Sequence, residues 1–143
     1  MIGLLIVSHE PLGTALLHCT RHVYARLPPQ MAALDVIPDE DPDEAYRAAC
    51  ELVKRINDGS GVLVLTDMVG ATPSRVAQRL VEPLRIELVA GVNLPMLCRA
   101  LTYRRCRPLD ELVPLLLDGA RDAIQVVPPA VPIGPPTCPQ PTR

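Results

Sequence analysis

The sequence predicts an α/β domain built on an open, mainly parallel sheet with helices on both faces, and three observations carry that expectation. Short apolar runs, such as residues 2–7 and 61–66, alternate with amphipathic stretches along most of the chain, the pattern of strands joined by crossover helices. Helix-start chemistry recurs after turns, at Asp41-Pro42-Asp43-Glu44, Thr72-Pro73 and Pro108-Leu109-Asp110-Glu111. Right-handed crossovers then favour the strand order 2-1-3-4.

Each element follows from its local residues. Residues 2–7 form a continuous apolar run that ends at Ser8-His9 and reads as the first strand. Leu12, Leu16, Cys19, Val23 and Leu27 recur at helical spacing and give the first helix. Residues 31–37 form a weaker second strand, closed by the turn Pro38-Asp39-Glu40. The second helix opens with Asp41 as its cap and Pro42 in its first position. It turns Ala45, Ala48, Ala49, Leu52, Val53 and Ile56 inward and stops at Asp58-Gly59. Residues 61–66 are the third strand, Thr72 caps a third helix, residues 85–90 supply a fourth strand, and Asn93 opens a fourth helix. A last helix runs from Pro108 to about Arg121 with Pro114 in or near its first turn. Residues 123–127 read as one more short strand, antiparallel to the rest. The domain therefore spans 1–127, and the prolines that crowd residues 128–143 make an extended, polyproline-like tail.

Composition narrows the function. The 143 residues carry a net charge of −2, 48% are apolar, and there is no Phe or Trp. The core is therefore Leu, Val, Ile and Ala, and a chain of this length buries roughly two-thirds of its unfolded surface. No basic, aromatic stripe is present for nucleic acid. The apolar start lacks a basic leader and is interrupted by Ser8-His9-Glu10, so it is not read as a signal peptide. No run approaches the ~20 residues of a membrane span. The five cysteines are odd in number and scattered without metal or redox spacing. They read as free thiols in a reducing cytoplasm.

Topology then places the chemistry. Open parallel sheets bind ligands beyond the carboxyl ends of the strands, where the strand order reverses. With order 2-1-3-4 that point lies between the first and third strands, whose ends carry Ser8-His9-Glu10 and Asp67-Met68-Val69-Gly70. An imidazole and a carboxylate are thus expected to face each other. The following Gly70-Ala71-Thr72-Pro73 leads into a helix, whose free N–H groups suit an anion such as phosphate. A carboxylate bonded to one ring nitrogen fixes the tautomer and leaves the other as nucleophile. His9 and Asp67 are accordingly the candidate catalytic pair. Gly70, Ala71 and Thr72 are the candidate phosphate-binding residues, and no metal or cofactor is called for. His18 and His22, four apart on the first helix, have no third ligand nearby and read as solvated or packed histidines. Asp39-Glu40-Asp41 and Arg104-Arg105-Arg107 read as solvated surface, Arg75 as helix surface, and Asn93 as a cap.

Three segments of the chain carry a family resemblance. Ser8-His9 after its strand, the run from Leu65 to Ser74 (Leu-Thr-Asp-Met-Val-Gly-Ala-Thr-Pro-Ser), and the run from Gly91 to Leu97 (Gly-Val-Asn-Leu-Pro-Met-Leu) resemble the IIA component of the mannose-type sugar phosphotransferase system. The resemblance covers residues 1 to about 127. It implies a cytoplasmic phosphoryl carrier in which His9 accepts phosphate from the histidine phosphocarrier protein and donates it to a IIB component. It implies that Asp67 bonds the His9 ring and that the loop to Thr72 holds the phosphoryl oxygens. It also implies a homodimer with an exchanged C-terminal strand, which fits residues 123–127. Glu10-Pro11 stands where the family usually has Gly after the histidine, and Val69-Gly70-Ala71 replaces an aromatic followed by Gly-Gly. Relatives often continue through a linker into a IIB domain, so the expectation here is a stand-alone IIA, or one that reports its phosphorylation state to a regulatory target. A related alternative is the phosphocarrier subunit of a dihydroxyacetone kinase.

Overall fold

Strand β1 (Gly3–His9) is buried from Gly3 to Ser8 and emerges only at His9, which marks it as a central strand covered on both faces. Around it the computed structural model, which describes residues 1–130, sets α1 (Leu12–Tyr24), β2 (Met31–Val36), α2 (Pro42–Ile56), β3 (Val62–Thr66), α3 (Thr72–Gln78), β4 (Ile86–Ala90), α4 (Leu94–Tyr103) and α5 (Leu109–Asp122). The tail from 131 onward lies outside the described residues. All four strands are parallel, in the order β2-β1-β3-β4, as the handedness rule requires.

Side-chain alternation along the sheet divides the core in two. Leu4 and Ile6 of β1 and Leu63 and Leu65 of β3 face one way, against Leu97 and Ala100 of α4 and Leu112 and Leu116 of α5, with Leu16 and Leu17 of α1 packed alongside. Leu5, Val7, Val62 and Val64 face the other, against Ala45, Ala49, Val53 and Ile56 of α2 and Val76 and Ala77 of α3. Each fully buried Leu or Val contributes about 1.5–3 kcal/mol relative to exposure, so β1 and β3 form the fixed frame from which the site projects.

The helix starts follow local chemistry. Asp41 accepts the Asp43 N–H at 2.9 Å with Pro42 in the first turn of α2, and Asn93 accepts the Met96 N–H at 2.8 Å to start α4. At α3 the cap is Ala71, without a side-chain bond, and Thr72 is already inside the helix. The chain thus enters α3 one residue earlier than the threonine cap predicts.

Other expectations need correction. In α1 the buried positions are Gly13 and Thr20, whereas Leu12, Cys19 and Val23 are exposed and Leu27 lies beyond the helix end. The helix turns its small face inward because it lies close over the ends of β1 and β2. A Cβ on Gly13 would stand 2.7 Å from Asp35 Oδ1 and 3.0 Å from Ser8 Oγ. Ala48 of α2 is exposed. Pro114 sits inside α5, past its first turn. Arg104, expected at the surface, is 3% exposed. Its guanidinium donates to the carbonyls of Pro29 at 2.7 Å and of Ile2 and Gln30 at 3.3 Å each, which ties the entry to β2 against the start of β1. Arg105 is exposed, and Arg107 pairs with Glu111 at 3.0 Å.

The additional C-terminal strand is not formed. Ala123 closes α5, and residues 124–130 join no ladder. Ile124, Val126 and Val127 are 79%, 96% and 83% exposed. Among the described residues no helix is long and apolar enough to cross a membrane.

Candidate active site

Strand pairing positions both members of the expected pair. β1 runs parallel to β3 with Val7 opposite Thr66, so Asp67, one residue on, and His9, two residues on, lie together at the carboxyl edge of the sheet. Asp67 Oδ2 stands 2.7 Å from His9 Nδ1 and also accepts the His9 backbone N–H at 2.9 Å. The second oxygen accepts the Met68 N–H at 2.8 Å. The carboxylate is thereby held from two sides while its side chain keeps only 14% exposure.

Burial pushes the Asp67 carboxyl upward. The bonds from the His9 N–H, the His9 ring and the Met68 N–H outweigh that push, together with the ring's charge, and the carboxyl titrates below its ordinary value. An ionised Asp67 accepting from Nδ1–H fixes the His9 tautomer. Nε2 is then unprotonated, and it has no hydrogen-bond partner among the described residues. The His9 side chain is 53% exposed, so this nitrogen is open to an incoming group. The arrangement suits nucleophilic attack by Nε2, with Asp67 stabilising positive charge that develops on the ring.

His9 opens into a crevice of 390 Å³ whose walls come from three loops. Glu10 lies beside His9, Thr72 and Pro73 open α3, and Val36, Ile37, Pro38, Asp39, Glu40 and Pro42 form the β2–α2 wall. The sequence reading placed the first- and third-strand loops here and missed that last wall. The signal was available, because a strand adjacent to β1 at the switch point ends beside His9. Of the expected phosphate-binding residues, Thr72 lines this crevice. Gly70, with φ at 88°, lines instead a neighbouring cavity with Val69, Ser74 and Arg75. The Ala71 carbonyl accepts from the Ser74 hydroxyl at 2.9 Å, and Ala71 lines neither space. Asn93 is committed to its cap, and Arg75 is not in the crevice of His9. His18 and His22 are exposed, and the described residues contain no group of three or more metal-ligating side chains.

Comparison with known proteins gives this geometry its family. Residues 3–116 match the family described as the PTS system fructose IIA component. The chain belongs to the mannose/fructose-type IIA family of the phosphotransferase system. This IIA chain is 31% identical over 96 residues to the PTS system mannose-specific EIIAB component of Escherichia coli strain K12. That match spans 66% of the chain and 30% of the E. coli protein, so it corresponds to less than a third of its relative. It is 34% identical over 84 residues to the PTS system fructose-specific EIIA component of Bacillus subtilis strain 168, covering 58% of the chain and 56% of the relative. Among solved structures, EIIA from Streptococcus agalactiae superposes with a TM-score of 0.79 at 25% identity, covering 88% of this IIA chain and 97% of the other. The mannose/sorbose-specific IIA subunit from Enterococcus faecalis shares the fold, with a TM-score of 0.78 at 22% identity over 92% and 98% of the two chains.

Proposed function

We propose that this chain is a phosphoryl carrier: His9 accepts a phosphoryl group from the histidine phosphocarrier protein and hands it to a IIB component. The observation that carries the reading is the 2.7 Å contact between His9 Nδ1 and Asp67 Oδ2, which leaves Nε2 exposed and nucleophilic. In the forward step the Nε2 lone pair forms an N–P bond while the N–P bond of the donor imidazole breaks. That electron pair returns to the donor ring, and no proton need leave His9, because Nδ1–H stays on Asp67. The substituted ring is cationic, and the Asp67 carboxylate offsets its charge. Phosphoryl transfer needs alignment and charge stabilisation more than covalent help. Thr72, which lines the crevice with His9, is assigned to the phosphoryl oxygens.

The carrier domain is assigned to residues 1–127, with 128–143 as a tail, and the protein to the cytoplasm. A homodimer belongs to the same proposal. β4 is an edge strand, and the exposed Ile124, Val126 and Val127 supply an apolar segment for a second copy. Its test is molar mass by light scattering for the full chain and for a chain ending at residue 122.

The deciding experiment is incubation with phosphoenolpyruvate, enzyme I and the histidine phosphocarrier protein, followed by intact-mass measurement. The expected result is an acid-labile gain of one phosphoryl group that is absent from His9→Ala. No gain with an active phosphocarrier overturns the proposal.

A further inference from the structure

Among the described residues, the crevice that holds His9 is lined by three carboxylates, those of Glu10, Asp39 and Glu40, and by no Lys or Arg. None of the three is in an ion pair among the described residues. Glu40 accepts the Ile37 N–H at 3.1 Å; Glu10 and Asp39 make no side-chain hydrogen bond there and are exposed. The nearby arginines do not line this crevice. Arg79 pairs with Asp43 at 2.8 Å and stacks 4.0 Å from the Tyr46 ring, and Arg75 faces the neighbouring cavity. A phosphoryl dianion on Nε2 therefore shares its crevice with these carboxylates, and the imidazolium, the Thr72 hydroxyl and main-chain dipoles counterbalance them.

We propose that Glu10 tunes the phosphoryl-transfer potential of His9. Its carboxylate destabilises the phosphorylated form, so the chain holds the group weakly and passes it on readily. Asp39 adds to the same effect. This rests on the carrier reading above and deepens it. The reaction is the exchange of one N–P bond for another, in which the phosphoryl group moves from the donor imidazole to Nε2 and the electron pair of the broken bond stays with the donor ring. Glu10 takes no covalent part; it changes the energy of one side. A carboxylate within a Debye length of a dianion shifts such an equilibrium by about three- to fivefold at moderate salt.

The test is the equilibrium constant for transfer from the phosphorylated histidine phosphocarrier to the full chain, measured by intact mass at low and high salt. The constant refers to free proteins, so a residue that only helps docking changes forward and reverse rates together and leaves it unmoved. Glu10→Gln should raise the constant about three- to fivefold, and Glu10→Asp should return it to near the wild-type value. Asp39→Asn, which suits the left-handed φ of 61° at that position, should raise it further in combination. The Glu10→Gln effect should shrink as salt increases. If the wild type is phosphorylated on His9 and Glu10→Gln leaves the constant unchanged, the inference falls while the carrier reading stands. If the wild type takes no phosphoryl group, both fall.

Discussion

One oxygen of Asp67 binds His9 twice: Oδ2 accepts the backbone N–H at 2.9 Å and lies 2.7 Å from ring Nδ1. The carboxylate thus fixes both the end of β1 and the orientation of the imidazole, and β3 carries it to that position. Asp67→Asn retains an oxygen acceptor but removes the charge and offers the ring an amide instead. Loss of a charge-assisted bond is worth about 1.5–3 kcal/mol. The expected outcome is phosphoryl uptake about ten- to a hundredfold slower, with the fold intact by circular dichroism. An unchanged rate in rapid-quench measurements would remove Asp67 from the chemistry.

The same bonds make a prediction about pH. Burial raises the Asp67 carboxyl, but the bonds from His9 and Met68 win and hold it below the usual value of 3.8. A carboxyl whose folded value is depressed stabilises the fold at pH above the unfolded value of about 3.9 and loses that contribution as pH falls through the folded value. In a carboxyl carbon NMR titration, Asp67 should titrate below 3.8 in the wild type and move upward in His9→Ala, which keeps the backbone bond and loses the ring. A wild-type midpoint at or above the ordinary value would contradict the network.

Arg104 supports a prediction about stability at the far end of the sheet from His9. Its guanidinium bridges Ile2, Pro29 and Gln30 through their carbonyls while 3% exposed. Burial pushes the guanidinium downward, as does the neighbouring charge of Arg105, yet an arginine stays protonated and keeps donating. Arg104→Ala leaves those carbonyls short of partners and opens a cavity, and should cost about 3 kcal/mol or more in denaturant unfolding. Arg105→Ala, at an exposed position, should stay within about 0.5 kcal/mol of the wild type.

These cases mark what the sequence reveals. The strand order and the meeting of His9 with Asp67 were legible because they depend on handedness and element order, which apolar runs disclose directly. The inward face of α1 was not. Leu12, Leu16, Cys19 and Val23 make a good helical stripe, but the close approach of α1 to Ser8 and Asp35 selects Gly13 and Thr20 instead. Periodicity weighs apolarity and is blind to the distance between helix and sheet. Arg104 was hidden for a related reason: an arginine among arginines signals surface, and only the tertiary placement of three acceptor carbonyls makes it internal. The strand expected at residues 123–127 belongs to neither class, because a segment can be apolar without pairing to a strand of its own chain.

The residue preceding His9 gives the last prediction. Ser8 is fully buried, and its hydroxyl has no hydrogen-bond partner among the described residues. A buried hydroxyl left unsatisfied costs free energy instead of contributing it, so Ser8→Ala should be neutral or raise stability by up to about 1 kcal/mol. Across the same contact, Gly13→Ala gains helix propensity of about 1 kcal/mol. Its methyl, however, would meet Asp35 Oδ1 at 2.7 Å and disturb the 3.1 Å bond from the Thr14 N–H to that oxygen. Overpacking of this kind costs about 1–3 kcal/mol, and the net expectation is a loss. Combining the two changes should recover part of it, since removing the Ser8 hydroxyl clears the second contact, at 3.0 Å. Thermal unfolding of the two single variants and the double variant decides the matter. Strict additivity would show that Ser8 and Gly13 do not share one packing site.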